Sequence, residues 1–234
     1  MLDTLARIRI PNRTTAVMQL ALLLAQSGHR FWCSDVYQPQ HLPKLVAKYP
    51  YRLPRDKPGR AYDRRKGLAS VHLIVQAEGP LLRWLMMSTA GRQGLADVTM
   101  PPPAKVYDLV FAGQHLIWHG YELLRLPKRL PEGKSIETLT WRLQPERLRA
   151  HEARLVDRAK HHDRTAVLGH VEALRAMPLF AGIRTQVICL HREAAKVWRK
   201  LNPTELPPCP SLPYMVKLPI YDRPPCTLLD LVTG

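Results

Sequence analysis

Hydrophobic and polar positions change rhythm twice along the chain. Up to residue 144 apolar side chains come in short blocks or in alternation. From 145 to 201 they recur every three or four residues, and beyond 202 proline dominates. "ARIRIP" (6–11) alternates apolar and basic positions, which predicts a half-exposed strand. "TTAVMQLALLLAQS" (14–27) is apolar nearly all round and predicts a buried helix, with Asn12 or Thr14 as N-terminal cap and Gly28 as C-terminal cap. Residues 29–67, with Pro39, Pro43, Pro50, Pro54 and Pro58, read as irregular. "LASVHLIVQA" (68–77) and "LLRWLMMST" (81–89) predict two strands joined at "EGP". "HLIWHGYELLRL" (115–126) predicts strands around Gly120. "ETLTWRL" (137–143) predicts another, with Leu139, Trp141 and Leu143 on one face. "PKRLPEGKS" (127–135) reads as a basic hairpin loop between them.

The second rhythm is helical. Pro145 suits a first helical position and Glu146 a first turn, so a helix is expected to about Lys160. Asp163 caps a second helix that ends before Pro178. The third, 181–201, carries the stripe Ile183, Val187, Leu190, Ala194, Val197 and Leu201. The proline-rich tail is expected to be extended, to build no helix, and to pack along the body through Leu212, Tyr214, Met215, Val216, Leu218, Ile220 and Tyr221. The fold class is therefore α+β with an antiparallel or mixed sheet. Its expected parts are a sheet domain over 1–144 with a basic loop at 52–67, a helical region over 145–201, and a tail over 202–234.

Charge narrows the function. The 234-residue chain has 35 Lys and Arg against 19 Asp and Glu, a formal charge of +16, and an isoelectric point near 10.1. Such a surface attracts polyanions, nucleic acid above all. No apolar run is long enough to span a bilayer, and no signal-peptide pattern is visible, so a cytoplasmic protein without a membrane partner is expected. The four cysteines form no C-x-x-C pair. Cys33 with His29 and His41, or Cys189 with His191, lack a ligand spacing, so buried thiols are expected, with no metal and no cofactor. Phosphate-binding glycine loops, the dinucleotide fingerprint and the serine-hydrolase elbow are absent, as are the clustered carboxylates of a two-metal nuclease.

Three basic segments are candidates for nucleic-acid binding. "RDKPGRAYDRRKG" (55–67) and its approach supply Arg52, Arg55, Lys57, Arg60, Arg64, Arg65 and Lys66, interleaved with Tyr49, Tyr51 and Tyr62. Rings beside guanidiniums suit unpaired bases, and a mobile finger is expected here. Lys128 and Arg129 lie on the hairpin loop. Arg147, His151, Arg154 and Arg158 share a face of the first late helix, and Arg192 and Lys196 one of the third.

The order "ARIRIP", buried helix, hairpins, basic helices over residues 6–200 resembles the CRISPR RNA-processing endoribonucleases, in particular the divergent plasmid-borne type IV members. The resemblance implies a ferredoxin-like core with a helical insertion. It also implies metal-independent cutting of precursor RNA beside a hairpin, retention of the product, and a place in a ribonucleoprotein complex of antiviral defence. Arg13, His29 and Arg30, which flank the first helix, are the catalytic candidates. Hairpin RNA is the expected partner and DNA the second. The alternative is a non-enzymatic DNA-binding protein of plasmid or mobile-element replication, transfer or regulation.

Overall fold

The computed structural model describes residues 2–48, 57–99, 101–102, 104–111, 113–213, 215 and 219–233. Arg52, Arg55, Tyr49, Tyr51, Tyr214, Val216 and Leu218 lie outside the described residues, as do the side chains of Lys57 and Arg129. The chain forms two units, Met1–Leu116 with Lys217–Gly234, and Ile117–Val216. The expected break at 144 thus moves to 116, and the hairpins after Leu116 go with the helices.

The first unit runs α1 (Leu2–Arg7), α2 (Thr14–Gln26), β1 (Phe31–Tyr37), a 3-10 turn at Pro39–His41, α3 (Leu42–Lys48), α4 (Lys57–Arg65), β2 (Val71–Glu78), β3 (Leu81–Ser88) and β4 (Tyr107–Asp108). Its sheet has the order β2-β3-β1-β4. Every neighbouring pair is antiparallel, with Phe31 opposite Ser88 and Val71 opposite the same residue. β1 and β2 are therefore parallel with β3 between them, a split βαβ unit whose crossover is α3 and α4. From β3 the chain reaches β4 without a helix among the described residues. Strand alternation gives the sheet two covered faces. Val71, Leu73, Val75, Trp84, Met86 and Cys33 pack with Leu5, Ile8, Leu42 and Leu45. His72, Ile74 and Gln76 alternate to the other face, where Gln76 Nε2 donates to Thr14 Oγ1 of α2 at 2.8 Å.

Three expectations are corrected here. Residues 6–11 are not a strand. α1 takes the first part, and only Arg9 forms a bridge, to Thr227. The alternation was genuine, since Ile8 and Ile10 are buried, but it serves a single extended pairing with the tail. The described residues of 29–67 are not irregular, because β1, α3 and α4 form there. The stretch expected to be a mobile finger is largely the helix α4. Pro58 sits in its first turn, where a missing N–H breaks no helical bond. Gly67, at φ +67°, ends the turn that follows it.

The second unit holds β6 (Tyr121–Arg129) and β7 (Ser135–Leu143), preceded at the junction by β5 (Leu116–Trp118), in the order β5-β6-β7. His119 and Gly120, at φ +47° and +76°, turn β5 into β6. Pro127–Arg129 belong to β6, which shortens the expected basic loop to 130–134. α5 (Pro145–Lys160), α6 (Arg164–Arg175) and α7 (Ala181–Leu201) follow as expected. Asp163 caps α6 by accepting Ala166 N–H at 2.8 Å. Along α7 the buried stripe is Ile183, Val187, Leu190, Ala194 and Trp198, while Leu201 is 46% exposed. A straight helix drifts off a seven-residue repeat, so the seam leaves Val197 and Leu201 for Trp198. A Cβ on Gly182 would meet Trp141 O at 2.6 Å, so the start of α7 lies against the backbone of β7.

The tail is extended from 202 to 213, where Trp198 Nε1 donates to Thr204 O at 2.8 Å and Leu212 is buried. Its last part closes the first unit. Ile10 N–H donates to Cys226 O at 2.9 Å and Leu228 N–H to Ile8 O at 2.8 Å. Beyond its last proline the tail forms α8 (Leu228–Thr233), which corrects the expectation of no helix. Among the described residues no helix is long and apolar enough to cross a membrane.

Candidate functional site

His29 follows the end of α2, whose C-terminal turn Gly28 closes at φ +94°. This turn aims both ring nitrogens at fixed partners. Nδ1 lies 3.1 Å from Leu24 O and 3.0 Å from Ser27 Oγ, and Nε2 lies 3.1 Å from Ser70 Oγ. A carbonyl oxygen only accepts, so Nδ1 carries the proton toward Leu24. In the neutral ring Nε2 is then bare and accepts the Ser70 hydroxyl proton. The chain has thus assembled a hydroxyl, an imidazole that takes its proton, and a carbonyl that fixes the tautomer.

Burial holds His29 below the usual histidine range, the Leu24 bond opposes this, and the charge of Arg60 adds to the depression. His72 packs edge-on against it, ring centroids 4.9 Å apart. Burial, then His29 and Arg60, push His72 down to about 4. Both rings are neutral at pH 7, so His29 is a base with its lone pair on Ser70.

Ser70 opens onto a cleft of about 600 Å³ that Ser27, Arg60, Arg64, Gly67, Thr89 and Gly91 also line. Arg60 and Arg64 are one turn apart on α4, on one side of the helix. Asp63, on the same helix, is only 8% exposed. Leu68 N–H donates to Asp63 O at 2.8 Å, tying α4 to the entry of β2. The cleft floor is a close backbone approach. Ala69 N–H donates to Arg92 O at 2.9 Å and Arg92 N–H to Gly67 O at 3.0 Å. Only glycine fits at Gly91, where φ is +135° and a Cβ would lie 2.8 Å from Ala69 N. A second, shallower cleft adjoins the first through Leu68 and is lined by Tyr62, Lys66 and Arg92. Tyr62 is 51% exposed with Lys66 Nζ 5.9 Å from its ring centre.

The three catalytic candidates do not converge. Arg13 precedes α2 and His29 follows it, so the helix of 13 residues sets them roughly 20 Å apart. Arg30 is held by Asp108 through Nε at 2.9 Å and through its second amino group, and it lies over the Phe31 ring at 5.0 Å. Burial raises the Asp108 carboxyl, but the bonds from Arg30 and Val110 N–H outweigh it and leave the carboxyl below its usual range. Arg65 and Lys66 are exposed near the end of α4.

The remaining basic candidates belong to the second unit, and several serve its packing. Arg147 lies over Tyr121 at 4.7 Å and donates to His119 O at 2.7 Å. Arg158 donates to Ala166 O and to His170 Nδ1, each at 3.0 Å. A guanidinium only donates, so His170 carries its proton on Nε2 and offers it to His151 Nδ1 at 3.1 Å. Burial, then Arg158, His151 and Arg154, push His170 down to about 4. Arg154, Lys128 and Arg192 are exposed, and Lys196 pairs with Glu193 at 2.7 Å. Among the described residues no three His, Cys, Asp or Glu are grouped to hold a metal ion, Cys33 with His29 and His41 included.

Ser70, Ser27 and the Leu24 carbonyl escaped the sequence reading. Serine carries no periodic signal, and Ser70 lies 41 residues from the histidine it meets. Compared with family models, curated proteins and solved structures, the chain matches none of them.

Proposed function

We propose that this chain binds nucleic acid and seats a phosphodiester in the cleft between α4 and the Ser70–Thr89 strand ends, with single-stranded segments of structured RNA as the preferred ligand. The observation that carries the proposal is the pair Arg60 and Arg64, one turn apart on α4, lining one cleft together with Ser27, Ser70 and Thr89. Two guanidiniums neutralise a phosphate, and the Thr89 hydroxyl, which accepts from Ser70 N–H at 2.9 Å, can donate its own proton to one of the phosphate oxygens. Tyr62, on the same helix, offers a platform for an unpaired base, which favours single strands and loops over duplex. The net charge of +16 supplies long-range attraction.

Cleavage through the ribose 2′-hydroxyl needs a base open to the sugar. His29 is only 6% exposed and Ser70 stands over its Nε2, so the geometry favours recognition over that route. The test is a salt titration of fluorescent hairpin-loop RNA, single-stranded DNA and duplex DNA. Arg60→Gln with Arg64→Gln should reduce the slope of log K against log[salt] by about 1.4 for a single strand. An unchanged slope, or tightest binding to duplex DNA, rejects the proposal.

A further inference from the structure

We propose that Ser70 is a nucleophile toward phosphodiesters and His29 its general base, making the cleft a metal-independent strand-cleaving and strand-joining site; the substrate class rests on the nucleic-acid reading above. The geometry has the three elements that activate a hydroxyl. Nucleophile and base are in hydrogen-bond contact, Ser70 Oγ to His29 Nε2 at 3.1 Å. The base is oriented by a third group, Leu24 O, 3.1 Å from Nδ1. The nucleophile opens onto a cavity walled by cations while the base lies behind it, with Ser70 but not His29 among the lining residues. A histidine acting directly on substrate would line the cleft, and a histidine serving only the fold has no need of a cation-walled cleft beyond its partner.

The protons and bonds balance without any co-reactant but water. Ser70 Oγ attacks phosphorus, its proton passing to His29 Nε2. The Oγ–P bond forms as the bond to one nucleoside oxygen breaks. That oxygen, in line with Ser70 Oγ on the far side of phosphorus, takes a proton from water in the cleft and leaves as a free hydroxyl end; a phosphoseryl diester remains, and His29 keeps its proton until it hands it back to Ser70 Oγ when that oxygen is expelled. Water, or the hydroxyl end of another strand, then attacks the same phosphorus and expels Ser70. Arg60 and Arg64 face the charge that builds on the equatorial oxygens. Because no 2′-hydroxyl takes part, the site accepts DNA as well as RNA.

Two measurements test this. In EDTA, a fluorophosphonate reporter should label Ser70 at least tenfold faster than the chain's other serines, with peptide mapping locating the adduct, and His29→Asn should abolish that preference. Serine reactivity is read here without nucleic acid, so it stands apart from the binding reading. Separately, an end-labelled 2′-deoxy oligonucleotide should give a band stable to detergent, present in wild type and absent in Ser70→Ala. Circular dichroism and cooperative thermal unfolding show that each variant is folded. No selective labelling of Ser70 overturns the nucleophile, whatever the affinity for nucleic acid. Selective labelling without an oligonucleotide band overturns the phosphodiester as substrate. Loss of all nucleic-acid affinity overturns the binding reading and this substrate class together. RNA cleavage that ceases with 2′-deoxy substrate and leaves no adduct also overturns the inference.

Discussion

Arg158 separates two accounts of the basic face on α5. Its charge and spacing suit a phosphate-binding arm, yet its guanidinium donates to Ala166 O and to His170 Nδ1, each at 3.0 Å. Arg158→Met keeps the stem and removes the donors. Each acceptor then loses a bond from a charged donor, at about 1–1.5 kcal/mol in a half-buried place, or roughly 2–3 kcal/mol together. Relief at His170 offsets part of this, because the nearby guanidinium is one cause of its depression. A net loss of about 2 kcal/mol lowers the melting temperature of a unit of about 100 residues by roughly 8–16 °C. Thermal unfolding followed by far-ultraviolet circular dichroism reads the loss, and imidazole proton titration should show His170 moving back toward its ordinary value. For single-stranded ligands the salt slope should stay as in wild type. The reasoning is refuted if stability is unchanged while the slope falls by about 0.7, the signature of one lost phosphate contact.

Further outcomes are expected. Gly91→Ala forces a Cβ to 2.8 Å from Ala69 N at φ +135°, and should cost on the order of 2 kcal/mol in denaturant unfolding and open the cleft floor. His72 and His170 titrate near 4 in the folded chain but near 6.5 when unfolded, so the unfolded state binds more protons between these values. Their contribution is whole above about pH 6.5 and lost as pH falls toward 4, and His170→Asn should flatten the dependence of melting temperature on pH in that window. Reporter labelling of Ser70 should be steady near pH 7 and fall on acidification only below the usual histidine range, because His29 is depressed. Arg30→Ala should lower stability, by taking the guanidinium partner from the buried Asp108 carboxylate, while leaving nucleic-acid affinity within twofold in a filter-binding assay.

Much of the second unit was legible because its signals are local. Pro145 and Asp163 mark helix starts by their own chemistry, and the period of α7 shows its buried stripe directly. The strand pair of β2 and β3 showed as two apolar blocks around a glycine turn. What failed were elements whose partners are distant. α4 has almost no apolar periodicity, so its proline, glycine and charges imitate a loop, and only the burial of Asp63, 8% exposed, reveals it as packed. The residues 6–11 pair with a segment over 200 residues later, which no window can see. His29 was noticed for flanking α2, but the tautomer-fixing carbonyl and Ser70 come from a turn and from a strand entry that only the fold brings together.

The seam between Ile8, Ile10 and the end of the tail has a bearing on biosynthesis. Ribosomes deliver the N-terminus first, yet Leu5, Ile8 and Ile10 share their core layer with Leu228. The second unit, contiguous from Ile117 to Val216, has all its residues outside the exit tunnel while the first still lacks Cys226 and Leu228. The segment before Ile117 therefore waits, with part of an apolar sheet face uncovered, until residues 226–228 emerge, and a chaperone has its opportunity to engage it during that interval.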